Sequence, residues 1–258
     1  MIKAIFFDID GTLVSHTKKD IPEGVLTALD ELRAKGILLF IASGRHISEF
    51  PALPLHDYPF DGYVTQTGQI CYDSAFNPVY EQPFTEEDTA RLIDLYNRKE
   101  IPIVLLNERD LYINFVNDYV VRTQNAINTP VPPVDCYHGE KLYGATVFGE
   151  ADDIDKVAGS LKECKASRWN RFAADIVLSA AGKKNGIRKV LEYYGISRDE
   201  IMAFGDADND LDMIEFAGTG VVMGDGTDRM KEIADYVTTS VDEDGVVEAL
   251  RHFGLLRK

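Results

Sequence analysis

The amino-acid sequence predicts an α/β protein: a doubly wound, Rossmann-like parallel-sheet core with a second, α+β domain inserted into it. Three observations carry this expectation. Short apolar runs alternate with amphipathic helical segments at both ends of the chain, the grammar of a parallel sheet covered on both faces. Several of those runs end in turns rich in Gly, Asp or Ser, which is where open α/β sheets bind ligands. Between the two ends, over residues 82–178, the pattern changes to helices mixed with alternating segments, which reads as a unit of its own.

The elements follow in order. Residues 4–7 form a short apolar strand, and residues 22–35 place Val25, Leu26, Leu29 and Leu32 on one helical face. Pro22 suits the first helical turn, where a missing N–H is no loss, and Gly36 suits the left-handed position just past the end. Residues 37–42 are continuously apolar between Gly36 and Gly44, as in a strand buried on both sides. Further on, Thr85 with Asp88 three residues later resembles a capping box opening a helix that carries Leu92, Ile93 and Tyr96. Residues 110–116 and 143–148 alternate like strands, whereas residues 129–135, TPVPPVD, hold three prolines and must be a loop or a sheet edge.

The last third returns to the first grammar. A helix over 184–194, ended by Gly195, precedes a strand at 201–204, a helix at 210–217 and a strand at 220–223. A helix at 227–234, a short strand at 236–238 and a final helix at 245–253 complete it. The expected organisation is therefore a core domain of residues 1–81 and 179–258, interrupted by a second domain of residues 82–178.

Composition narrows the function. The 258 residues hold 27 Lys plus Arg against 43 Asp plus Glu, a net charge of −16, with 45% hydrophobic and 10% aromatic residues. Such a chain folds around a sizeable core and is not disordered. Its negative charge and lack of a Lys/Arg cluster argue against nucleic-acid binding, though not against a small anion met by a few local cations. Cys71, Cys136 and Cys164 form no close pair and none of the usual metal-ligand spacings, so reduced thiols in a cytoplasmic setting are expected. The longest clean apolar stretch, residues 37–42, falls far short of the ~20 residues of a membrane span. No membrane partner is expected.

Three strand ends carry chemistry. In FFDIDGTL, Asp8 and Asp10 are two apart, and in an extended segment such residues project to the same side. Two close carboxylates need a cation or a shared proton. In FGDADND, Asp206, Asp208, Asn209 and Asp210 follow another apolar run. If the two strands are neighbours, their carboxylates converge in a way that suits Mg²⁺ and a substrate phosphate. In IASGR, Ser43, Gly44 and Arg45 offer a hydroxyl and backbone donors for an anion, and Lys183 or Lys184, opening a helix after Gly182, offers a point charge. Taken singly, Asp-Gly-Thr also fits an ordinary turn, DADND a helix cap or a weak calcium loop, and Ser43 with Arg45 a plain loop. Only the joint arrangement is specific.

These four segments, FFDIDGTL, IASGR, the Lys183 region and MAFGDADNDLDM, resemble the motifs of the haloacid dehalogenase (HAD) superfamily, in particular its Cof-type, class IIB phosphatases. The resemblance implies a HAD-like core with an inserted C2-type cap, for which the interval between Ser43 and Lys183 leaves ample room. It implies Asp8 as nucleophile and Mg²⁺ ligand, Asp10 as general acid/base with its carbonyl on the metal, and Asp206 and Asp210 at the metal's inner and outer shells. Ser43, Gly44, Lys183 and Asn209 would bind the transferring phosphoryl group. Register with the following helix favours Lys183 over Lys184.

The implied activity is Mg²⁺-dependent hydrolysis of small phosphorylated metabolites, sugar phosphates foremost, through an aspartyl-phosphate. A phosphomutase using the same nucleophile and a non-catalytic metabolite sensor are the alternatives. Two departures stand. Relatives usually read Asn-Gly where this chain has Thr67-Gly68, and many have Gly directly after the motif lysine, where this chain has Lys183-Lys184-Asn185-Gly186. Arg45 is a candidate for the leaving group, and so are Arg168, Trp169 and Arg171 of the insertion, with His16 a weaker one. For the insertion residues, core packing of the indole and surface pairing of the arginines are the plainer readings.

Overall fold

A computed structural model describes every residue except 56, 128 and 258. It divides into two compact units: Met1–Arg45, Glu49–Glu81 and Gly182–Lys258 form the first, and His46–Ser48 with Gln82–Ala181 the second. Among the described residues no helix is long and apolar enough to cross a membrane.

In the first unit, β1 (Ala4–Phe7), α1 (Glu23–Ala34), β2 (Leu38–Ala42), β3 (Gly62–Thr65), β4 (Ile70–Asp73) and β5 (Pro78–Glu81) come before the insertion. The insertion contributes α2 (Glu86–Arg98), β6 (Ile103–Leu106), β7 (Leu111–Ile113), α3 (Asp118–Ala126), β8 (Gly144–Phe148), α4 (Ala151–Ser160), β9 (Cys164–Asn170) and β10 (Ala173–Leu178). The first unit then resumes with α5 (Lys183–Tyr194), β11 (Ile201–Gly205), α6 (Leu211–Phe216), β12 (Thr219–Val222), α7 (Asp228–Ile233), β13 (Tyr236–Val237) and α8 (Gly245–His252).

The first sheet runs β13-β12-β11-β1-β2-β3-β4-β5. Its first six strands are parallel, whereas β4 and β5 return antiparallel. The sequence pattern predicted the parallel part and assigned no strands to residues 62–81, where the four-residue links 66–69 and 74–77 are too short for a crossover and turn the chain antiparallel. Phe6, Phe40, Val64 and Ala203 share one sheet face with Ile187, Val190 and Leu191 of α5 and Met213 of α6. On the other side α1 packs on β2 and α8. All four residues of β1 are fully buried, as a central parallel strand requires.

Helix α1 buries Val25, Ala28, Leu29 and Leu32. Leu26, expected on that face, is exposed, because Ala28 completes the i, i+3, i+4, i+7 stripe in its place. The helix predicted over 210–217 starts instead with a 3₁₀ turn at Asp208–Asp210.

The second unit is a five-stranded antiparallel sheet, β7-β6-β8-β10-β9. Leu92 and Tyr96 of α2 and Ile154 and Val157 of α4 cover the face carrying Ile103, Leu105, Val147 and Ile176. Val120 of α3 packs on Val104, Ile113 and Phe148 of the other. The expected capping box at Thr85 forms by half: Thr85 Oγ1 accepts the Asp88 N–H at 3.2 Å. The Asp88 carboxylate does not turn back. It accepts the N–H groups of Lys162 and Glu163 at 2.7 and 2.9 Å, tying α2 to the chain entering β9. Residues 129–135 form no strand of their own, only an isolated bridge from Val134 to Ile113 at the edge of β7.

Candidate active site

The site is built by strand order. β1 lies between β11 and β2, and strand order runs outward from it in both directions, through β2 and β3 on one side and β11, β12 and β13 on the other, so the carboxyl end of β1 is a topological switch point. Phe7 pairs in register with Phe204, and the Asp8 N–H continues the ladder to the Phe204 carbonyl at 3.0 Å. Asp8 and Asp206 are thereby delivered side by side. Ser43 leaves β2 on the other flank, its N–H on the Val64 carbonyl at 2.8 Å and its Oγ accepting the Arg45 N–H at 3.1 Å.

Lys183, the first residue of α5, is fully buried. Its ammonium donates to Asp8 Oδ1 at 2.5 Å and also to Asp210 Oδ1. The other Asp210 oxygen accepts the N–H groups of Asp206 and Ala207 at 3.1 and 3.2 Å, which locks the 3₁₀ turn after β11. Thr12 Oγ1 donates to Asp206 Oδ1 at 3.1 Å. The turn that brings it there depends on Gly11, at φ +86°, where a Cβ would lie 2.5 Å from Asp206 Oδ2. Thr12 is a site residue that sequence reasoning read only as part of a turn.

The electrostatics are those of an overcrowded carboxylate cluster. Burial, and then the charge of Asp210, push Asp8 up to about 8 against the lowering pull of Lys183. Burial and Asp210 likewise push Asp206 up to about 6, with the Thr12 hydrogen bond opposing. Burial alone would lower Lys183, but Asp210 and Asp8 outweigh it and hold the ammonium charged.

Other expected residues sit differently. The Asp10 side chain is partly exposed and clasped by Arg45, whose Nε and Nη2 donate to its two oxygens at 2.7 and 2.8 Å. Asn209 is exposed on the Asp208–Asp210 turn. Gly44 lies beside the turn after β3, a Cβ there coming 3.7 Å from Thr67 Oγ1. That turn is strained: Thr67 is β-branched yet takes φ 55°, ψ 37°, a conformation costly for its type and typical of functional sites. Lys184 is not in the cluster; its Nζ lies 5.8 Å above the Phe216 ring. His16 is exposed. Within the second unit Arg168 pairs with Asp155 and Arg171 lies over Phe172. Trp169 is exposed rather than packed in the core.

One oxygen each of Asp8, Asp206 and Asp210 lie within 4.8 Å of one another. An all-oxygen, anionic donor set fits a hard divalent cation, whose charge would offset both the burial and the Asp210 repulsion that push Asp8 and Asp206 up. Fold and site together define a class: a doubly wound α/β protein in which three carboxylates and a buried lysine converge at the switch point of a parallel sheet.

The chain belongs to the haloacid dehalogenase-like hydrolase family, which it matches over residues 5–250. This is the family that the four sequence segments resemble, and the chain is a phosphatase of that superfamily. It is 34% identical over 260 residues to "Putative phosphatase YkrA" of Bacillus subtilis (strain 168), covering 99% of each chain. Its fold superposes with TM-score 0.92 on a hypothetical protein of Geobacillus kaustophilus HTA426, 28% identical, over 99% of this chain and 100% of that one. The HAD subclass IIB sugar phosphatase BT4131 aligns with TM-score 0.83 and 32% identity, over 98% and 100% of the two chains.

Proposed function

We propose that this chain hydrolyses small phosphorylated metabolites, sugar phosphates foremost, using Mg²⁺ and an aspartyl-phosphate formed on Asp8. The observation that carries the reading is the buried Lys183 ammonium bridging Asp8 and Asp210 beside Asp206. A carboxylate that must meet an anionic phosphate needs fixed positive charge at that point. Asp8, Asp206 and Asp210, with the Asp10 carbonyl, would hold Mg²⁺, which when bound offsets charge on the nucleophile and on the phosphoryl oxygens. Ser43 Oγ, the Gly44 N–H, Lys183 and Asn209 bind the phosphoryl group.

An Asp8 oxygen attacks phosphorus and the ester oxygen departs, taking a proton from Asp10. A water molecule, losing a proton to Asp10, then attacks the acyl phosphate, releasing inorganic phosphate and restoring the Asp8 carboxylate. Both Asp10 oxygens are engaged by Arg45, so proton delivery requires that pair to open, and Arg45 then serves the leaving group. Substrate selection falls to the second unit, in the role of the C2-type cap that the resemblance implies.

The sugar assignment is supported by the likeness to a sugar phosphatase. It also draws on the exposed Trp169, whose indole N–H donates to Asp175 Oδ1 at 3.1 Å while Thr146 Oγ1 donates to the same oxygen at 2.8 Å. An aromatic surface beside a carboxylate and a hydroxyl suits a polyhydroxylated partner. Three unpaired cysteines fit a reducing, cytoplasmic setting.

The test is inorganic phosphate release, with and without Mg²⁺, over hexose, pentose, triose, nucleotide and cofactor phosphates, with Asp8→Asn as the blank. The expected result is Mg²⁺-dependent release, fastest with hexose or pentose phosphates, and reduced at least ~1000-fold in Asp8→Asn, about 4 kcal/mol of barrier. Substantial hydrolysis by Asp8→Asn removes the nucleophile assignment, and faster release from nucleotide or cofactor phosphates removes the sugar assignment.

A further inference from the structure

A second group of metal-binding side chains lies wholly within the second unit. Asp135, Cys136 and His138 are all exposed, and one carboxylate oxygen, the thiol sulfur and one imidazole nitrogen lie within 4.8 Å of one another. His138 Nε2 is 3.2 Å from Asp135 Oδ2. The phosphatase chemistry uses none of these residues.

The backbone that presents them is pinned. Asp135 N donates to the Ile113 carbonyl at 3.1 Å, and Ile113 N to the Pro133 carbonyl at 2.9 Å, so the segment runs along the edge of β7. Tyr96 Oη donates to the Asp135 carbonyl at 2.7 Å, and Tyr137 Oη to the Glu140 carbonyl at 2.8 Å. The His138 N–H reaches Glu140 Oε2 at 3.1 Å, while Tyr112 Oη holds the other Glu140 oxygen. The Tyr112 ring stands edge-on to the imidazole, centroids 6.1 Å apart. Tyr112, Asp135, His138 and Glu140 also line a groove of about 400 Å³.

Donor chemistry selects the ion. Thiolate and imidazole are poor ligands for Mg²⁺ and good ones for zinc and its neighbours in the transition series. Zinc bonds of roughly 2.0–2.3 Å put tetrahedral donors roughly 3.3–3.7 Å apart. Closing to that spacing asks for rotation of three exposed side chains. We propose that Asp135, Cys136 and His138 form a zinc-class transition-metal site, one sulfur, one nitrogen and one oxygen, with its remaining coordination position open to the groove.

Cobalt(II), a spectroscopic stand-in for zinc, tests this in the full-length protein with excess Mg²⁺ present to occupy the carboxylate cluster. Cys71 and Cys164 are buried, so a thiolate-to-cobalt charge-transfer band reports on Cys136. The expected result is a band that saturates at one equivalent, is displaced by zinc, persists in Asp8→Asn and vanishes in Cys136→Ser. The apparent affinity should fall at least about tenfold in His138→Ala. Zinc should also slow alkylation of Cys136 in the unaltered protein, a readout that needs no variant. Absence of the band, its survival in Cys136→Ser, undiminished affinity in His138→Ala, or alkylation indifferent to zinc would each overturn the proposal.

Discussion

The two units gather polar chemistry in opposite ways. In the first, parallel strands end on one edge of the sheet, so residues far apart in the chain meet: Lys183 and Asp8 are 175 positions apart, Thr12 and Asp206 are 194. In the second, antiparallel strands end alternately on either side, and the donor cluster comes from one short segment, Asp135 to His138. The first cluster is buried at Asp8 and Asp210 and half-buried at Asp206, the second exposed. Burial strengthens every charge interaction and makes every unpaired charge costly. A parallel sheet thus concentrates polar groups and couples them to stability, whereas a loop on an antiparallel sheet can hold them with little consequence for the fold.

The largest effect should come from Lys183, the cation inside the buried cluster. Lys183→Ala leaves Asp8 and Asp210 facing each other without it, and should cost about 3–5 kcal/mol of unfolding free energy at pH 8. The loss should be smaller at pH 5, where Asp8, already pushed up to about 8, takes a proton. Lys184→Ala, one residue on and outside the cluster, should stay within about 0.5 kcal/mol. Equal losses for the two lysines in denaturant titrations would break the comparison.

In the second unit stability should hang on a buried cap, not on the exposed donor segment. Asp88→Ala leaves the Lys162 and Glu163 N–H groups without their acceptor and should cost about 2–3 kcal/mol. Cys136→Ser and His138→Ala should leave the metal-free melting temperature within a degree or so of wild type. A donor-segment variant as destabilising as Asp88→Ala would show that the segment is structural after all.

A smaller and subtler effect is the pH dependence of the metal-free protein. Asp8 and Asp206 are raised to about 8 and about 6 from an ordinary 3.8. The folded state therefore binds more protons than the unfolded state between pH ~4 and ~8, and stability falls as pH rises through that window. In a chelator, the Asp8→Asn variant should show a flatter fall in melting temperature from pH 5 to pH 8 than the parent. Added Mg²⁺ should raise the parent's midpoint more at pH 8 than at pH 5, since protons and metal compete for the same oxygens. Parallel slopes for parent and variant would remove Asp8 as the titrating group.

How much of this was legible in the sequence depends on range. Strand β1, the helix ended by Gly195 and the switch of pattern after Glu81 are local signals, and local patterning is what periodicity and turn residues encode. The antiparallel strands β4 and β5 were not assigned, although the four-residue links 66–69 and 74–77 are too short for a parallel crossover. The exposure of Leu26 turned on which of two overlapping stripes α1 buries, and packing partners decide that. Asp88 shows the same limit: its spacing from Thr85 fits a box, but two backbone donors some 75 positions away compete better for its carboxylate. The Asp135, Cys136 and His138 group matches no familiar ligand spacing, and only the path of the segment along β7 brings the three donors within reach of one another.

Local sequence was enough for the family and for the carboxylate, lysine and hydroxyl residues at the strand ends, since these are written within a few neighbouring positions. The packed core added that Thr12 donates to Asp206 and that Arg45 holds Asp10, and it buried Lys183, which helix register already favoured over Lys184, between Asp8 and Asp210. The physical reason is that these pairings depend on register between β1 and β11 and on where α5 begins against the sheet. Such three-dimensional adjacencies arise from packing of the whole core and have no counterpart in the spacing of residues along the chain.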